Sequence, residues 1–90
     1  MGDNFSQFKR VDGVRLRKIE EKLYIFYNEG YYEINEIGAL VLQHISRDVK
    51  IGDFCDKVIT KYQGVEKKQV EQDVLSFLEF LKNDKLIEEQ

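Results

Sequence analysis

The spacing of apolar residues along this chain changes once, at Asn35, and that change sets the order of its elements. Before it, in Gly30-Tyr31-Tyr32-Glu33-Ile34, Tyr32 and Ile34 alternate with Tyr31 and Glu33, the period of two expected for a strand with unlike faces. After it, Glu36-Ile37-Gly38-Ala39-Leu40-Val41-Leu42 starts a helical period, and the side-chain oxygen of Asn35 is placed to cap that helix. Strands precede this point and helices follow it. The stretch from Gly30 to Ile34 reads as a sheet edge whose free backbone is the working part of the protein.

Upstream, Asp12-Gly13 signals a turn into a first strand, Val14-Arg15-Leu16-Arg17-Lys18-Ile19, with Val14 and Leu16 on one face and Arg15 and Arg17 on the other. Glu20-Glu21 turns into Leu23-Tyr24-Ile25-Phe26-Tyr27. This second strand is apolar on both faces, the pattern of a central strand covered on both sides. Asn28-Glu29-Gly30 predicts a hairpin turn in which Gly30 takes φ > 0. The three strands make an antiparallel meander. Residues 1–12 read as a flexible N-terminal tail and 13–90 as one domain. Met1-Gly2-Asp3-Asn4-Phe5-Ser6 also matches the loose N-myristoylation pattern.

Downstream, a first helix is predicted from Glu36 to Ser46, with Ile37, Leu40, Val41 and Ile45 at helical spacing. Gly38 in its first turn lets another backbone approach. A second helix carries Ile51, Phe54, Cys55, Val58, Ile59 and Tyr62 on one stripe and ends at Gln63-Gly64. A third, from Glu66 to Asn83, has Val70, Val74, Phe77, Leu78 and Leu81 on its stripe. Gln69, Asp73 and Phe80 flank one side of it, and Leu75 and Lys82 the other. An apolar arc this wide covers more than one neighbour or leaves a hydrophobic groove. Asp84-Lys85-Leu86-Ile87 then returns to the core. The fold class is α+β: a three-stranded antiparallel sheet followed by three helices, winged helix-turn-helix-like.

Several function classes are disfavoured. Ninety residues, 42% hydrophobic and 34% charged, make a single globular domain with one core. A net charge of −3 argues against nucleic acid or an anionic membrane as the partner. No membrane-length apolar run or signal peptide is visible, and Cys55 is the sole cysteine, which points to the cytoplasm. His44 is the sole histidine. The sequence contains no Cys/His metal pattern, no phosphate-binding glycine loop and no positioned acid–base pair. Catalytic residues, metal ligands and cofactors are therefore not expected, and the chain reads as something other than an enzyme.

Three binding readings are left. A winged-helix DNA-binding or regulatory protein fits the element order. However, the second helix carries Asp53, Asp56, Lys57 and Lys61 and the third Glu66, Glu71, Asp73 and Glu79, so neither presents a basic reading face. The basic cluster Lys9, Arg10, Arg15, Arg17 and Lys18 reads as a solvated strand face. The second reading has the edge at Gly30–Ile34, uncharged except at Glu33, accept an extended peptide as a further strand, with the third helix as its apolar wall. The third has the same edge form a homodimer.

The chain resembles the PqqD-like family, the recognition elements for precursors of ribosomally made, post-translationally modified peptides. The resemblance covers roughly Gly13 to Ile87. It rests on Gly30-Tyr31-Tyr32-Glu33-Ile34-Asn35-Glu36-Ile37-Gly38, on Lys61-Tyr62 ending the second helix, and on Asp73-Val74, Phe77-Leu78 and Leu81 before Lys85-Leu86-Ile87. It implies that the leader segment of a precursor adds as an antiparallel strand beside the third strand, over the third helix. It also implies that a separate enzyme, of the radical-SAM or the leader peptidase and cyclase kind, does the chemistry. The implied contacts are Tyr31, Tyr32, Glu33, Ile34, Gln69, Asp73, Val74, Phe77 and Phe80, with Asp73 facing a basic leader residue. This chain departs from the family pattern at Ile34 (commonly leucine), Lys50 (commonly a Ser/Thr cap) and Lys85 (commonly glycine).

Overall fold

The computed structural model describes residues 4–90; Gly2, the acceptor in the myristoylation pattern, lies outside them. Strands β1 (Phe8–Arg10), β2 (Arg15–Ile19), β3 (Lys22–Tyr27) and β4 (Gly30–Ile34) precede helices α1 (Glu36–His44), α2 (Ile51–Lys61) and α3 (Lys67–Asn83), and β5 (Ile87–Glu89) closes the chain. The meander has the order β2-β3-β4, antiparallel throughout, so β2 and β4 are its edges.

Two tight hairpins set its register. Glu20 (φ 49°) and Glu21 (φ 67°) turn β2 into β3, and Asn28 (φ 53°) and Glu29 (φ 66°) turn β3 into β4. Two successive left-handed residues make the type I′ turn, whose twist suits a two-residue hairpin. The left-handed positions thus fall before Gly30, which is instead the first residue of β4, opposite Tyr27. In such a hairpin the flanking pair exchanges both hydrogen bonds, and bonded and non-bonded pairs then alternate. Tyr27–Gly30, Ile25–Tyr32 and Leu23–Ile34 are the bonded pairs toward β4, whereas Ile19–Lys22, Arg17–Tyr24 and Arg15–Phe26 are those toward β2. The two hairpins agree, because β3 bonds through odd-numbered residues on one side and even-numbered on the other. The backbone groups of Tyr31 and Glu33 point away from the sheet.

Opposite residues in the ladder share a face. Leu16, Ile25 and Tyr32 face inward; Ile25 is fully buried, and Leu16, Tyr27, Tyr32 and Ile34 pack against the core. Tyr24, Phe26 and Tyr31 lie on the outer face. β3 is therefore covered on one face by this chain, not on two. Its outward aromatics make the pattern of a doubly covered strand without the second layer.

Residues 4–10 differ from the flexible tail expected over residues 1–12. Phe5–Gln7 forms a single 3₁₀ turn with Asn4 as its cap: the Ser6 N–H donates to Asn4 Oδ1 (2.9 Å) and the Asn4 N–H to Gln7 Oε1 (3.0 Å). Phe5 is fully buried and stands edge-on to Phe54 at 5.2 Å. Its N–H donates to Val49, and its carbonyl accepts from Ser46. β1 then pairs antiparallel with β5, joining the two ends of the chain. Two phenylalanines three residues apart provide enough apolar surface to hold a short polar segment.

Asn35 caps α1 as expected, accepting from the Gly38 N–H at 2.7 Å. The helix ends at His44, two residues before the expected Ser46, and Ser46 sits at φ 77°. Arg10, one of the basic cluster, donates to the Leu42 carbonyl at 3.0 Å, which also accepts from the Ile45 N–H at 3.3 Å, and so reinforces the last turn of α1. α2 buries Ile51, Phe54, Cys55 and Val58, and starts at Lys50 without a side-chain cap. α3 buries Val70, Val74, Leu78 and Leu81 and packs on both other helices. It ends in a Schellman motif: the Leu86 N–H donates to Leu81 (2.8 Å), the Lys85 N–H to Lys82 (3.0 Å), and Lys85 takes φ 60°. Glycine would adopt that left-handed position without the steric cost that Lys85 bears.

Candidate functional site

α1 and α3 line a cleft, and β4 adjoins it through the contact of Tyr32 with Phe80. On the strand side, Tyr31 and Glu33 each leave one N–H and one C=O free along the open edge. Tyr32 and Ile34 turn their side chains inward, toward α3 and the core. The Tyr32 ring meets Phe80 edge-on at 5.4 Å, and Phe80 leans on Phe77 at 5.7 Å. The Asp84 carboxylate interacts with the Tyr32 hydroxyl, and that interaction, with a smaller contribution from burial, holds the phenol above its ordinary pKa. The Tyr32–Phe80 contact ties the strand edge to the C-terminal half of α3.

The cleft itself is a cavity of about 420 Å³ whose walls come from Asn35, Ile37, Gly38 and Val41 on the α1 side and from Asp73, Val74, Ser76, Phe77 and Phe80 on α3. Most of this lining is apolar, and Asp73 is the charged group among it. Gln69, one turn earlier, donates to Asp73 Oδ1 at 2.9 Å and holds that carboxylate in place. Phe80 also borders a second recess, beside Leu75, Glu79 and Asn83.

The residues expected at the site are distributed as follows. Tyr32, Ile34, Asp73, Val74, Phe77 and Phe80 gather on the helix side of β4. Val74 is fully buried and forms the floor. Tyr31 and Glu33 reach the same edge through their backbones alone, because their side chains lie on the outer sheet face. The α1 wall was absent from the expected set. Its sequence signal was Gly38: a Cβ there would stand 3.1 Å from Phe77 Cζ, so the close approach is made by an aromatic ring and not by a backbone.

The N-terminus of α1 is anchored from the other side. Glu36 accepts a hydrogen bond from the Tyr62 hydroxyl and stands 3.6 Å from Lys61 Nζ. The Tyr62 bond, then the Lys61 charge, pull the Glu36 carboxyl below its ordinary range despite an opposing desolvation effect. This joins the end of α2 to the start of α1, next to Asn35.

The two residues most often suspected of chemistry are occupied elsewhere. His44 packs on Phe54 (4.8 Å) and Phe5 (5.7 Å), with Nδ1 donating to the Leu40 carbonyl at 2.7 Å. Cys55 is buried, and desolvation pushes its thiol up to about 11, so it is protonated at neutral pH and acts as a small apolar side chain. Among the described residues no three His, Cys, Asp or Glu side chains gather to hold a metal ion, and no helix is long and apolar enough to cross a membrane.

The family model described as "Coenzyme PQQ synthesis protein D (PqqD)" matches residues 22–87, from the start of β3 to the start of β5. The chain belongs to the PqqD family. Two solved structures share the PqqD-family fold seen here. One, described as "TbiB1 in Complex with the TbiA(beta) Leader Peptide", has a TM-score of 0.70 and 22% identity over 89% of this chain and 94% of that one. The other, "Lasso peptide synthetase B1 complexed with the leader peptide", has a TM-score of 0.74 and 17% identity over 91% of this chain and 98% of that one. None of the curated proteins matches this PqqD-family chain.

Proposed function

We propose that this chain is a non-catalytic recognition domain that binds the leader segment of a ribosomally made, post-translationally modified peptide. The leader adds as a strand on β4, and the domain presents it to a separate modifying enzyme, radical-SAM or leader peptidase and cyclase, in the cytoplasm. One observation carries the reading: the strand with the open backbone of Tyr31 and Glu33 packs through Tyr32 on Phe80, a wall of an apolar cleft that holds a single carboxylate, Asp73. An added antiparallel strand satisfies those edge groups, each hydrogen bond contributing about 1 kcal/mol net. Its alternate side chains fall toward Tyr32, Phe77 and Phe80, and a basic one meets Asp73. Family membership supports the reading, as do the two structures of like fold, each described as a complex with a leader peptide.

The test is a titration of isotopically labelled protein with the leader of its precursor, following amide shifts. The expected changes concentrate on residues 30–35 and 66–81. Shifts concentrated on α2 or on the outer sheet face would overturn the site, and tight, salt-dependent binding of duplex DNA would overturn the function.

A further inference from the structure

The outer face of the meander has no role in the cleft, yet it is not an ordinary solvent face. An antiparallel sheet packed on one side normally turns polar residues outward on the other. Here Tyr24, Phe26 and Tyr31 form a cluster with ring centroids 5.8–5.9 Å apart, Tyr31 being 66% exposed. Exposed Ile19 lies on the same face. Contiguous apolar surface of this kind marks an interaction site.

Charge narrows the choice of partner. The register puts Arg15 opposite Phe26 and Arg17 opposite Tyr24, so both guanidinium groups project from the aromatic face. Neither has an ion-pair partner among the described residues. Of the basic cluster, Lys9 pairs with Glu88, Arg10 serves α1 and Lys18 belongs to the opposite face of β2, which leaves Arg15 and Arg17 on this one. On a chain of net charge −3 this face is a cationic exception, with Arg15, Arg17 and Lys22 outnumbering Glu33. A second copy would bring the same cationic excess against itself, since a two-fold interface pairs a patch with its own kind. A recess of about 340 Å³ between Arg15, Phe26, Gly30 and Tyr31 has room for a side chain.

We propose that this outer face is the docking surface for the modifying enzyme, which meets it with an acidic patch bearing an apolar side chain. The inference rests on the function proposed above, and its geometry follows from β4. Tyr31 offers its backbone to the peptide edge and its ring to the outer face, so an enzyme on that face stands directly beside the bound leader. By strand geometry the face measures roughly 16 by 14 Å. That is the centre of an interface rather than all of it, and the leader on the adjoining edge extends it.

The experiment measures two affinities separately: that of the chain for its leader by calorimetry, and that for the purified modifying enzyme by sedimentation. An Arg15→Glu/Arg17→Glu variant is expected to lose roughly tenfold in enzyme affinity and to keep leader affinity within about twofold. The wild-type enzyme affinity should fall with added salt. A photo-crosslinking residue in place of Tyr24, on an otherwise unaltered chain, should capture the enzyme, whereas the same residue in place of Lys57 on α2 should not. Unchanged enzyme affinity in the double variant, no enzyme association by the wild type, or capture of a second copy at position 24 would each overturn the docking surface. A wild-type chain that binds enzyme but not leader would leave docking standing and overturn the function proposed for β4.

Discussion

A Cβ built on Gly38 of α1 would stand 3.1 Å from Cζ of Phe77 on α3 and 3.3 Å from the Asn35 oxygen that caps the helix. The missing side chain therefore sets the width of the cleft. Gly38→Ala gains about 1 kcal/mol of helix propensity, and crowding offsets a similar amount. The Phe77 ring lines the cavity, so a shift of the ring changes the cavity's shape. The expected outcome is a midpoint of thermal unfolding within a few degrees of wild type and a leader affinity several-fold weaker, measured by calorimetry. Unchanged affinity would show that the peptide does not use this part of the cleft.

Proline separates the two sides of β4. At Glu33 the backbone N–H points to the open edge, so Glu33→Pro removes a donor from the peptide ladder and none from the sheet. At Tyr32 the N–H bonds to Ile25, so Tyr32→Pro breaks the meander and loses about 1 kcal/mol or more of stability. Glu33→Pro should keep its fold by circular dichroism yet bind leader at least about tenfold more weakly, whereas Tyr32→Pro should lower the unfolding midpoint. Equal leader affinity in Glu33→Pro and wild type would count against strand addition.

The pair Glu36–Tyr62 predicts a pH window. The folded-state pKa of Glu36 is depressed, chiefly by the Tyr62 hydroxyl, so its contribution is present above the ordinary carboxylate range and is lost as pH falls through the folded value. The same bond raises the Tyr62 phenol, so that side of it is intact below the ordinary phenol range and is lost as pH rises. The contact is complete between about pH 5 and about pH 9. Tyr62→Phe should therefore reduce stability within that window and converge with wild type in acid. Parallel unfolding curves across the whole range would show that the bond contributes nothing.

Lys85 and Glu29 occupy left-handed positions at φ 60° and 66°. A side chain in that region costs about 1–2 kcal/mol, which glycine avoids. Part of this is returned through the greater freedom of glycine in the unfolded chain. Lys85→Gly completes the Schellman motif, and Glu29→Gly turns Asn28-Glu29 into the Asn-Gly favoured by a type I′ hairpin. Each should raise the unfolding midpoint by about 2–6 °C, and the two should add because their motifs are separate. A midpoint that does not move would show that the unfolded-state effect cancels the relief.

Much of this architecture can be read from the sequence because the elements are long enough to show a period. Five or six residues suffice for β2, β3 and β4, and the stripe of Ile51, Phe54, Cys55 and Val58 does the same for α2. β1 and β5 span three residues each, too short for any alternation to register. The flank Gln69, Asp73 and Phe80 was legible as the edge of a wide arc, but its α1 partner was not. A helical wheel shows which side of α1 is apolar, not how much of it a neighbour covers. Which of Tyr31 and Tyr32 faces α3 depends on ladder register, and that follows only once the hairpin is known to turn on Asn28 and Glu29.

Phe5 is the sharpest case of structure hidden from sequence, and it yields a test. Its neighbours Asn4, Ser6 and Gln7 are polar, so no apolar period surrounds it, yet its side chain is fully buried against Phe54 and His44. The backbone of Phe5 bonds to Val49 and Ser46, which places the ring under the connection between α1 and α2. Phe5→Ala removes a buried aromatic from a site that backbone contacts prevent from collapsing, and the expected loss is about 3–5 kcal/mol. For a domain this small that is a large part of its total stability. Denaturant unfolding should show a lower midpoint at an unchanged slope, and the Phe8→Ala loss should add only in part because both rings belong to one core. A loss below about 1 kcal/mol for Phe5→Ala would return residues 4–10 to the role of a dispensable tail.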